Sequence, residues 1–357
     1  MHKTIKYIQV CLSLLFCWCG LLSVSVCGQS GRRAEPGVNG KTVGAEQSQE
    51  PSGAEDVVRV RTEEVMVPVS VRSVDGKPVN GLTAESFLIY DNGMRQEIAS
   101  FNRERVPANI VLLLDASGSV FHQMRFIREA ARQFVEGLLK EDRVCVMQFA
   151  DRVELLQDWT GAGDPAELAK AIEWSYRPGQ STAFYDGLYL AAEEQFKKTE
   201  GRRIIILLTD GMDTAEKRRA SQSDALNAVR RAEASVYVVS LTASLREAVE
   251  KRTGGTFNRL LRGYDPREVK RVLAMIDEAE SSLERLASQT GGRMFLPRRD
   301  EDLLPAYKAI AEELRTQYII TYRPKPKVEA GEWRRVRVLV LPGGYEVAAR
   351  EGYKGRS

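Results

Sequence analysis

Three oxygen-bearing side chains near the middle of this 357-residue chain are the strongest candidates for chemistry. Asp115, Ser117 and Ser119 follow directly after the uncharged run 109–114, which is typical of a strand buried on both faces. Gly118 permits the tight backbone path that lets both hydroxyls point the same way. Because hard cations prefer oxygen ligands, this loop suits Mg2+. An isolated Asp-x-Ser-x-Ser match could equally be the N-cap of a helix.

Two further loops carry oxygen ligands. A second apolar run, 203–208, ends in the sequence Thr209-Asp210-Gly211, and the polar loop 179–187 offers the Thr182 hydroxyl before a predicted helix. In a parallel sheet the loops that follow the strands lie at the same carboxyl edge, where open α/β folds bind ligands. With the Thr182 loop and the Thr209-Asp210-Gly211 turn present, a metal site is favoured over an isolated helix cap.

Taken in this order, the three loops resemble the metal-ion-dependent adhesion site (MIDAS) of von Willebrand factor type A (VWA) domains. The resemblance implies that Ser117, Ser119 and Thr182 contact Mg2+ through their hydroxyls. Asp115 and Asp210 would contact the ion directly or through water, and Mn2+ and Ca2+ are the alternative ions. Neutral hydroxyl ligands leave the metal under-neutralised, so an Asp or Glu carboxylate of a protein partner can complete its coordination. The resemblance thus implies Mg2+-dependent protein–protein binding.

Neighbouring titratable residues give no sign of catalysis. We interpret Asp186 and Asp213 as capping or supporting residues, and His122 as a surface residue close enough to line the site. His122 is the only histidine besides His2, so a Ser-His-Asp or Cys-His arrangement would have to use it. No phosphate-binding or dinucleotide-binding fingerprint is present, and we expect no enzymatic activity. A metal-assisted hydrolase and a structural envelope protein with a vestigial metal site stay open as alternatives.

The elements that must position these loops alternate between strands and helices after Pro107. Helical spacing covers 120–140, and 143–149 with 152–157 looks like an antiparallel edge pair. Further helices are predicted at 165–174, 184–198, 221–233 and 303–316, with a buried strand at 236–241. The pattern predicts an α/β, Rossmann-like VWA domain over residues 105–316, with a mostly parallel central sheet flanked by helices. Residues 245–280 are charged and helical, and are either a partner-facing excursion or a solvated helix pair.

Both flanks of this region have β character. Valines alternate through 58–71, where Pro68 favours an edge strand, and strand patterns recur through 87–101 and again at 317–349. The two flanks, 56–104 and 317–357, are therefore predicted to form one small β-sandwich into which the α/β domain is inserted. This order is similar to that of VWA-related bacterial proteins, and the resemblance covers most of residues 57–353.

The N-terminal segment indicates where the protein is located, and the composition indicates which partners it can bind. Residues 1–28 are predicted to be a secretory signal peptide, with lipidation at Cys27 or an uncleaved membrane anchor as alternatives. Residues 29–55 are predicted to be a disordered tether. All three readings place the folded part outside the cytoplasm, as a periplasmic, secreted or envelope-associated protein. Beyond the leader only Cys145 remains, a buried strand residue by its apolar neighbours. A formal net charge of +3 gives no electrostatic case for nucleic-acid binding.

Overall fold

The computed structural model of the protein describes residues 64–103, 106–254 and 266–355. The predicted leader at 1–28 and the predicted tether at 29–55 lie outside the described residues. Residues 63–357 group into one compact unit. The domain boundaries inferred from the sequence therefore stay predictions, although the individual elements can be compared one by one.

The described elements alternate as the sequence pattern indicates. The strands are β1 Val65–Arg72, β2 Phe87–Asp91, β3 Met94–Gln96, β4 Ile98–Asn102, β5 Ala108–Asp115, β6 Arg143–Phe149, β7 Val153–Gly161, β8 Arg202–Thr209, β9 Ser235–Ser240, β10 Met294–Phe295, β11 Tyr318–Tyr322, β12 Trp333–Val340, β13 Glu346–Ala348 and β14 Gly352–Lys354. The α-helices are α1 Met124–Glu136, α2 Pro165–Trp174, α3 Phe184–Leu190, α4 Gln222–Ala232, α5 Thr242–Gly254, α6 Pro266–Gln289 and α7 Leu303–Thr316.

The central sheet has the strand order β10-β9-β8-β5-β6-β7 within the described residues. All neighbouring pairs are parallel except β6 and β7, which form the expected antiparallel edge pair. Successive residues of β5 alternate between two cores, with Leu112 on one face and Leu113 on the other, and both are fully buried. The mostly parallel α/β sheet flanked by helices is thus confirmed, because only a doubly covered sheet buries consecutive residues of a strand.

Two predicted helices are shorter than the periodicity indicates. The chain after β5 first makes a 3-10 turn, Gly118–Gln123, before α1 begins at Met124. The helix expected over 184–198 is α-helical only through Leu190, then widens to a π turn and closes with a 3-10 turn. A 100° hydrophobic periodicity cannot separate these helix types, because their side-chain spacings are similar over one turn.

Two antiparallel sheets combine strands from both flanks. Their orders are β13-β1-β11-β4 and β14-β12-β2-β3, so β1 pairs with β11 and β2 pairs with β12 across the whole chain. Val67 opposite Ile320 and Ile89 opposite Val338 contribute to one apolar cluster. The pairing supports the proposal of a shared β-sandwich.

Pro68 does not mark an edge strand. β1 lies between β11 and β13, so the expectation of an edge position is wrong for the strand as a whole. β13 covers only Ser70–Arg72, whereas Pro68 lies in the half of β1 that, among the described residues, pairs with β11 alone. A strand position with a neighbour on only one side tolerates the missing N–H of proline.

The described parts of residues 245–280 lie in two helices, α5 and α6. An ion pair joins α5 to α6, from Arg246 to Asp277 at 2.6 Å. The C-terminal part of α6 enters the core, where Leu283 and Ala287 are almost fully buried. Residues 283–288 are thus the buried end of a helix that begins at Pro266. Within residues 64–103, 106–254 and 266–355, no helix combines the length and the apolar character needed to cross a bilayer.

Candidate metal site

Asp115 and Asp210 meet at the carboxyl edge of the central sheet. Asp115 is the last residue of β5, and Asp210 directly follows β8, its parallel neighbour. Their exposed fractions are 0% and 2%, which places both carboxylates inside the protein. Thr209, between them in space, donates its hydroxyl hydrogen to Asp115 Oδ2 at 2.7 Å and accepts a hydrogen bond from the Gly211 N–H at 2.9 Å. The register of β5 against β8 therefore sets the orientation of the Asp115 carboxylate and of the turn that carries Asp210.

The loop after β5 brings two hydroxyls to the same place. The Ser117 N–H donates to Asp115 Oδ1 at 2.9 Å, and the hydroxyl oxygens of Ser117 and Ser119 lie 3.0 Å apart. Ser119 also hydrogen-bonds the Asp210 carboxylate. Four of the five predicted ligands are therefore in mutual contact. The 3-10 turn is what holds the hydroxyls together, since its first bond runs from the Val120 N–H to the Ser117 carbonyl at 3.2 Å.

Thr182 lies on a loop fixed between the other two. Its N–H donates to Thr214 Oγ1 at 2.9 Å, and its carbonyl accepts from the Thr214 N–H at 3.0 Å, which ties it to the loop after Asp210. On the other side, the Gly179 N–H donates to the Ala116 carbonyl at 2.8 Å. Thr182 is 4% exposed. The three loops expected to converge do converge.

Burial and mutual repulsion shape the charges of the site. Desolvation, and next the charge of Asp210, raise the pKa of Asp115 from 3.8 to about 7. Desolvation also raises the pKa of Asp210. No Lys, Arg or His side chain forms an ion pair with either carboxylate in the described part of the chain. Two buried acids without a basic partner, surrounded by hydroxyls, suit a hard divalent cation.

The described residues contain no cluster of three or more His, Cys, Asp or Glu side chains that could hold a metal. The site has only two carboxylates, and its other oxygen donors are hydroxyls. Such a donor set suits Mg2+ better than the softer metals that thiolates and imidazoles select. If a divalent ion is bound, Asp115, Ser117, Ser119, Thr182 and Asp210 are the residues that would hold it.

The sequence did not single out three residues that position this site. The Tyr176 hydroxyl donates to the Asp115 carbonyl, and Thr209 orients the Asp115 carboxylate. Asp151 accepts hydrogen bonds from the Gln180 N–H at 3.1 Å and from the Ser181 hydroxyl at 2.8 Å. Hydrogen bonds from Ser181, and next from Gln180, lower the pKa of the Asp151 carboxyl group. Asp151 could have been found, because it follows strand 143–149 at the same carboxyl edge.

Asp186 and Asp213 accept backbone hydrogen bonds near the site, and His122 lies at the surface. Asp213 Oδ2 accepts from the Tyr185 N–H at the start of α3, and Asp213 forms an ion pair with Arg218 at 3.1 Å. Asp186 Oδ1 accepts from the backbone N–H groups of residues 219 and 220, each at 2.8 Å. His122 is exposed on the 3-10 turn, with its ring 5.7 Å from that of Phe121.

Several solved structures share features of this fold. One is the structure of proximal thread matrix protein 1 from the mussel byssus with a zinc-occupied MIDAS motif, which is 19% identical to this chain. The match covers 63% of this chain and 50% of that one, with a TM-score of 0.45. A von Willebrand factor type A structure from Catenulispora acidiphila is 13% identical over 77% of this chain and 76% of that one, also with a TM-score of 0.45.

Sequence comparison identifies a curated relative and a family. An uncharacterised protein of Synechocystis sp. is 37% identical over 109 residues, which is 30% of this chain and 26% of that protein, so the match spans about a quarter of the relative. Residues 109–259 match the von Willebrand factor type A domain model. Domains of this kind often bind a divalent metal, mediate protein–protein interaction and are generally non-enzymatic. The similarity to the von Willebrand factor type A domain family therefore lies in residues 109–259.

Proposed function

We propose that the chain binds one divalent cation at the carboxyl edge of its central sheet and uses the ion to bind a carboxylate of a protein partner. Mg2+ is the proposed ion, with Mn2+ and Ca2+ as alternatives. The proposed ligands are Asp115, Ser117, Ser119, Thr182 and Asp210. The observation that carries the proposal is the buried pair Asp115 and Asp210, whose negative charge has no basic partner among the described residues.

The ligand chemistry explains why a partner would be recruited. Each oxygen of Asp115 already accepts one hydrogen bond, from the Ser117 N–H and from the Thr209 hydroxyl, so its orientation is set before metal arrives. The hydroxyls of Ser117, Ser119 and Thr182 add no charge. An ion held this way keeps affinity for a further anionic ligand, because Mg2+ favours six oxygen ligands and readily keeps open positions for water or substrate. A partner Asp or Glu supplies that ligand.

The proposed setting is outside the cytoplasm. The N-terminal pattern of residues 1–28 supports it, whether the segment is a cleaved signal, a lipidation site at Cys27 or a retained membrane anchor. The proposed role is that of a binding protein without catalytic activity. His122 is exposed on the 3-10 turn that follows Ser117, with its ring 5.7 Å from that of Phe121.

Calorimetric titration with Mg2+ tests the metal site. We expect the wild-type chain to bind one ion, and Asp210→Ala and Thr182→Ala to weaken this binding. Asp164→Asn is the matched control, because Asp164 is an exposed helix-capping carboxylate after β7, at the opposite edge of the sheet. Absence of binding to the wild type at millimolar metal would contradict the proposal. Equal Mg2+ affinity of the wild type and Asp115→Ala would favour the vestigial site.

Partner binding needs a separate test. The wild-type chain is used to capture proteins from an envelope extract in Mg2+ and again in EDTA, and the captured protein is then titrated against each variant. We expect capture to require the metal, and Thr182→Ala to reduce partner affinity more than it reduces thermal stability, because Thr182 lies on a loop beyond the strands. Partner affinity that is unchanged by EDTA and by every substitution would refute the carboxylate-bridging mechanism.

A further inference from the structure

We infer that the outer face of the sheet β14-β12-β2-β3 is a second binding surface, which takes a linear acidic polysaccharide whose sugars carry carboxylates. The face presents four basic side chains, which we call the basic row, and its binding needs no metal ion. The basic row consists of Lys354, Arg335, Arg337 and Arg95.

Alternation along β12 separates two kinds of arginine. Arg334 points into the sandwich, where it is 5% exposed and pairs with Glu332 at 2.8 Å. Arg335 and Arg337 point to the opposite face, where both are exposed. Neither of these two forms an ion pair within residues 64–103, 106–254 and 266–355. The strand therefore gives its inward arginine a carboxylate and leaves its outward arginines without one.

The strand register places two more cations on the same outer face. Arg337 lies opposite Tyr90 of β2, and Tyr90 lies opposite Arg95 of β3. Lys354 of β14 lies opposite the first residue of β12. Arg95 and Lys354 are exposed, and neither forms an ion pair in the described part of the chain. Because residues that lie opposite each other point to the same face, the four cations form one row with spacings of roughly 7 to 10 Å.

The carboxylates of the neighbouring segments lie on the inner side of the sheet or beside it. Asp91 is fully buried and accepts hydrogen bonds from two tyrosine hydroxyls. The Glu351 carbonyl accepts from the Val336 N–H at 2.7 Å, which places Glu351 opposite an inward position. Glu332, already paired, also accepts the Glu329 N–H at 3.0 Å in the loop before β12. None of these acids shares the outer face with the basic row.

Two further acids lie at the β3 edge. Glu85 and Glu97 line a groove there together with Arg95, and Glu97 pairs with Lys325 at 3.7 Å. Arg95 is therefore the least positive end of the basic row. The outward positions of β12 and β14 hold three cations and no acid, which equals the formal net charge of +3 of the whole chain. Repulsion among like charges does not stabilise the fold, and it favours a bound polyanion.

The outer face is poor in the features that other partners need. Trp333 is 40% exposed, but the Arg230 guanidinium lies 5.1 Å from its ring centroid, and a Cβ added at Gly352 would lie 2.6 Å from its Cζ2. The other large side chains of the face are half-buried, and they are Leu88, Tyr90 and Leu339. A bilayer takes up protruding apolar side chains, a protein interface has an apolar centre, and nucleic-acid bases stack on free ring faces. These three partners are therefore disfavoured.

A carboxylated polysaccharide matches what the face does offer. Guanidinium groups bind carboxylates through paired, charge-assisted hydrogen bonds. A linear polymer of acidic sugars repeats its charge at regular intervals, as the basic row does, and its hydroxyl-bearing rings need no apolar contact. The backbone of the row is fixed in advance, because the Asn92 N–H donates to the Arg335 carbonyl at 2.8 Å and Asn92 Oδ1 accepts from the Arg335 N–H at 2.9 Å.

This surface lies far from the proposed metal site. Arg230, which contacts Trp333, is in the last turn of α4, and β9 begins at Ser235 soon after that helix. The last turn of α4 is therefore at the amino edge of the central sheet, whereas the proposed metal-binding loops follow the carboxyl edge. An eight-residue strand such as β8 separates the two edges by about 26 Å. Each surface can therefore be tested without the other.

The test measures binding of a short oligogalacturonate to the immobilised full chain by surface plasmon resonance in EDTA. Because EDTA removes divalent ions, a sugar carboxylate cannot be bound through the proposed metal site. We expect saturable binding at low salt that weakens more than about tenfold at high salt, where the Debye length falls to about 3 Å. A neutral oligosaccharide of equal length should not bind.

Substitutions then assign the binding to the basic row. Arg335→Gln combined with Arg337→Gln should weaken oligogalacturonate binding by about tenfold or more, whereas Arg335→Lys combined with Arg337→Lys should retain most of it. Lys170→Gln combined with Lys308→Gln is the matched control, because both lysines are exposed on helices of the α/β domain and the same charge is removed. The control should stay within about twofold of wild type. Thermal unfolding checks that each variant is folded.

The outcomes separate this surface from the metal site. No binding at low salt, equal losses in the arginine-to-glutamine variant and the lysine control, or equally tight binding of phosphatidylglycerol vesicles, polyglutamate or a thymidine oligonucleotide would overturn the inference. Binding that appears only in Mg2+ and is lost in Asp210→Ala would place the sugar at the metal site, which overturns the inference and supports the proposed function. Binding in EDTA that is lost with the basic row and kept in Asp210→Ala is the result that supports a second surface.

Discussion

Asp210→Asn should stabilise the metal-free protein and destabilise the metal-saturated one relative to wild type. The substitution removes a buried negative charge but keeps an oxygen that can accept the Met212 N–H hydrogen bond, which is 3.0 Å long in the wild-type protein. In EDTA the buried repulsion with Asp115 is relieved. In Mg2+ the wild type gains binding free energy that the variant lacks, because an amide is a weaker ligand for a hard cation than a carboxylate.

The magnitude follows from the titration of Asp115. Its pKa is raised from 3.8 to about 7, so between these pH values the folded protein keeps a proton that the unfolded chain releases. Stability of the metal-free protein therefore falls as the pH rises through this window, by about 4 kcal/mol in all at 1.36 kcal/mol per pH unit. Desolvation is the larger cause and Asp210 the next. Removing the Asp210 charge should return part of this loss at pH 8, because the charge of Asp210 is the second cause of the raised pKa.

Thermal unfolding in EDTA and in Mg2+, at pH 5 and pH 8, measures both effects. At pH 8 in EDTA the variant should melt at a higher temperature than wild type, and the difference should shrink at pH 5, where Asp115 is protonated in the folded state. A metal concentration 100 times its Kd should add about 2.7 kcal/mol to the wild type alone and reverse the order. Asp164→Asn should follow the wild type throughout. A variant that is less stable than wild type in EDTA at pH 8, or two curves that respond equally to Mg2+, would refute the reasoning.

Two further predictions concern the frame around the site. Gly211→Ala should lower the free energy of unfolding by about 2 kcal/mol, because Gly211 has φ +75° and an added Cβ would lie 2.8 Å from Leu283 Cδ1. The control Gly201→Ala, with φ +81° and no atom within 4 Å of the added Cβ, should lower it by only about 1 kcal/mol. Urea denaturation measures both losses, and equal losses would contradict the packing argument. A chain that ends at Thr316 lacks β11, the strand that pairs with β1. The amides of β1 should therefore lose their protection in hydrogen exchange, while those of β5 keep it. Protected β1 amides would contradict a sandwich shared by both flanks.

Local patterns determined the elements that carry the proposed ligands. The uncharged runs 109–114 and 203–208 predict strands buried on both faces because no polar side chain interrupts them, and both are buried strands of one parallel sheet. Since parallel strands place their following loops at one edge, two separate motifs were enough to predict that Asp115 and Asp210 lie at the same edge, whereas the place of the Thr182 loop was implied by the resemblance to a MIDAS.

Only the tertiary structure decided how the site is held. The Thr209 contact with Asp115 depends on the register of β5 against β8, and the Tyr176 contact depends on where α2 ends, which no local pattern encodes. Pro68 shows the same limit, because its tolerance in an interior strand depends on how far β13 extends along β1. Periodicity reports which face of an element is apolar. The partner of that face, and the register in which it packs, are set by residues far away in the sequence.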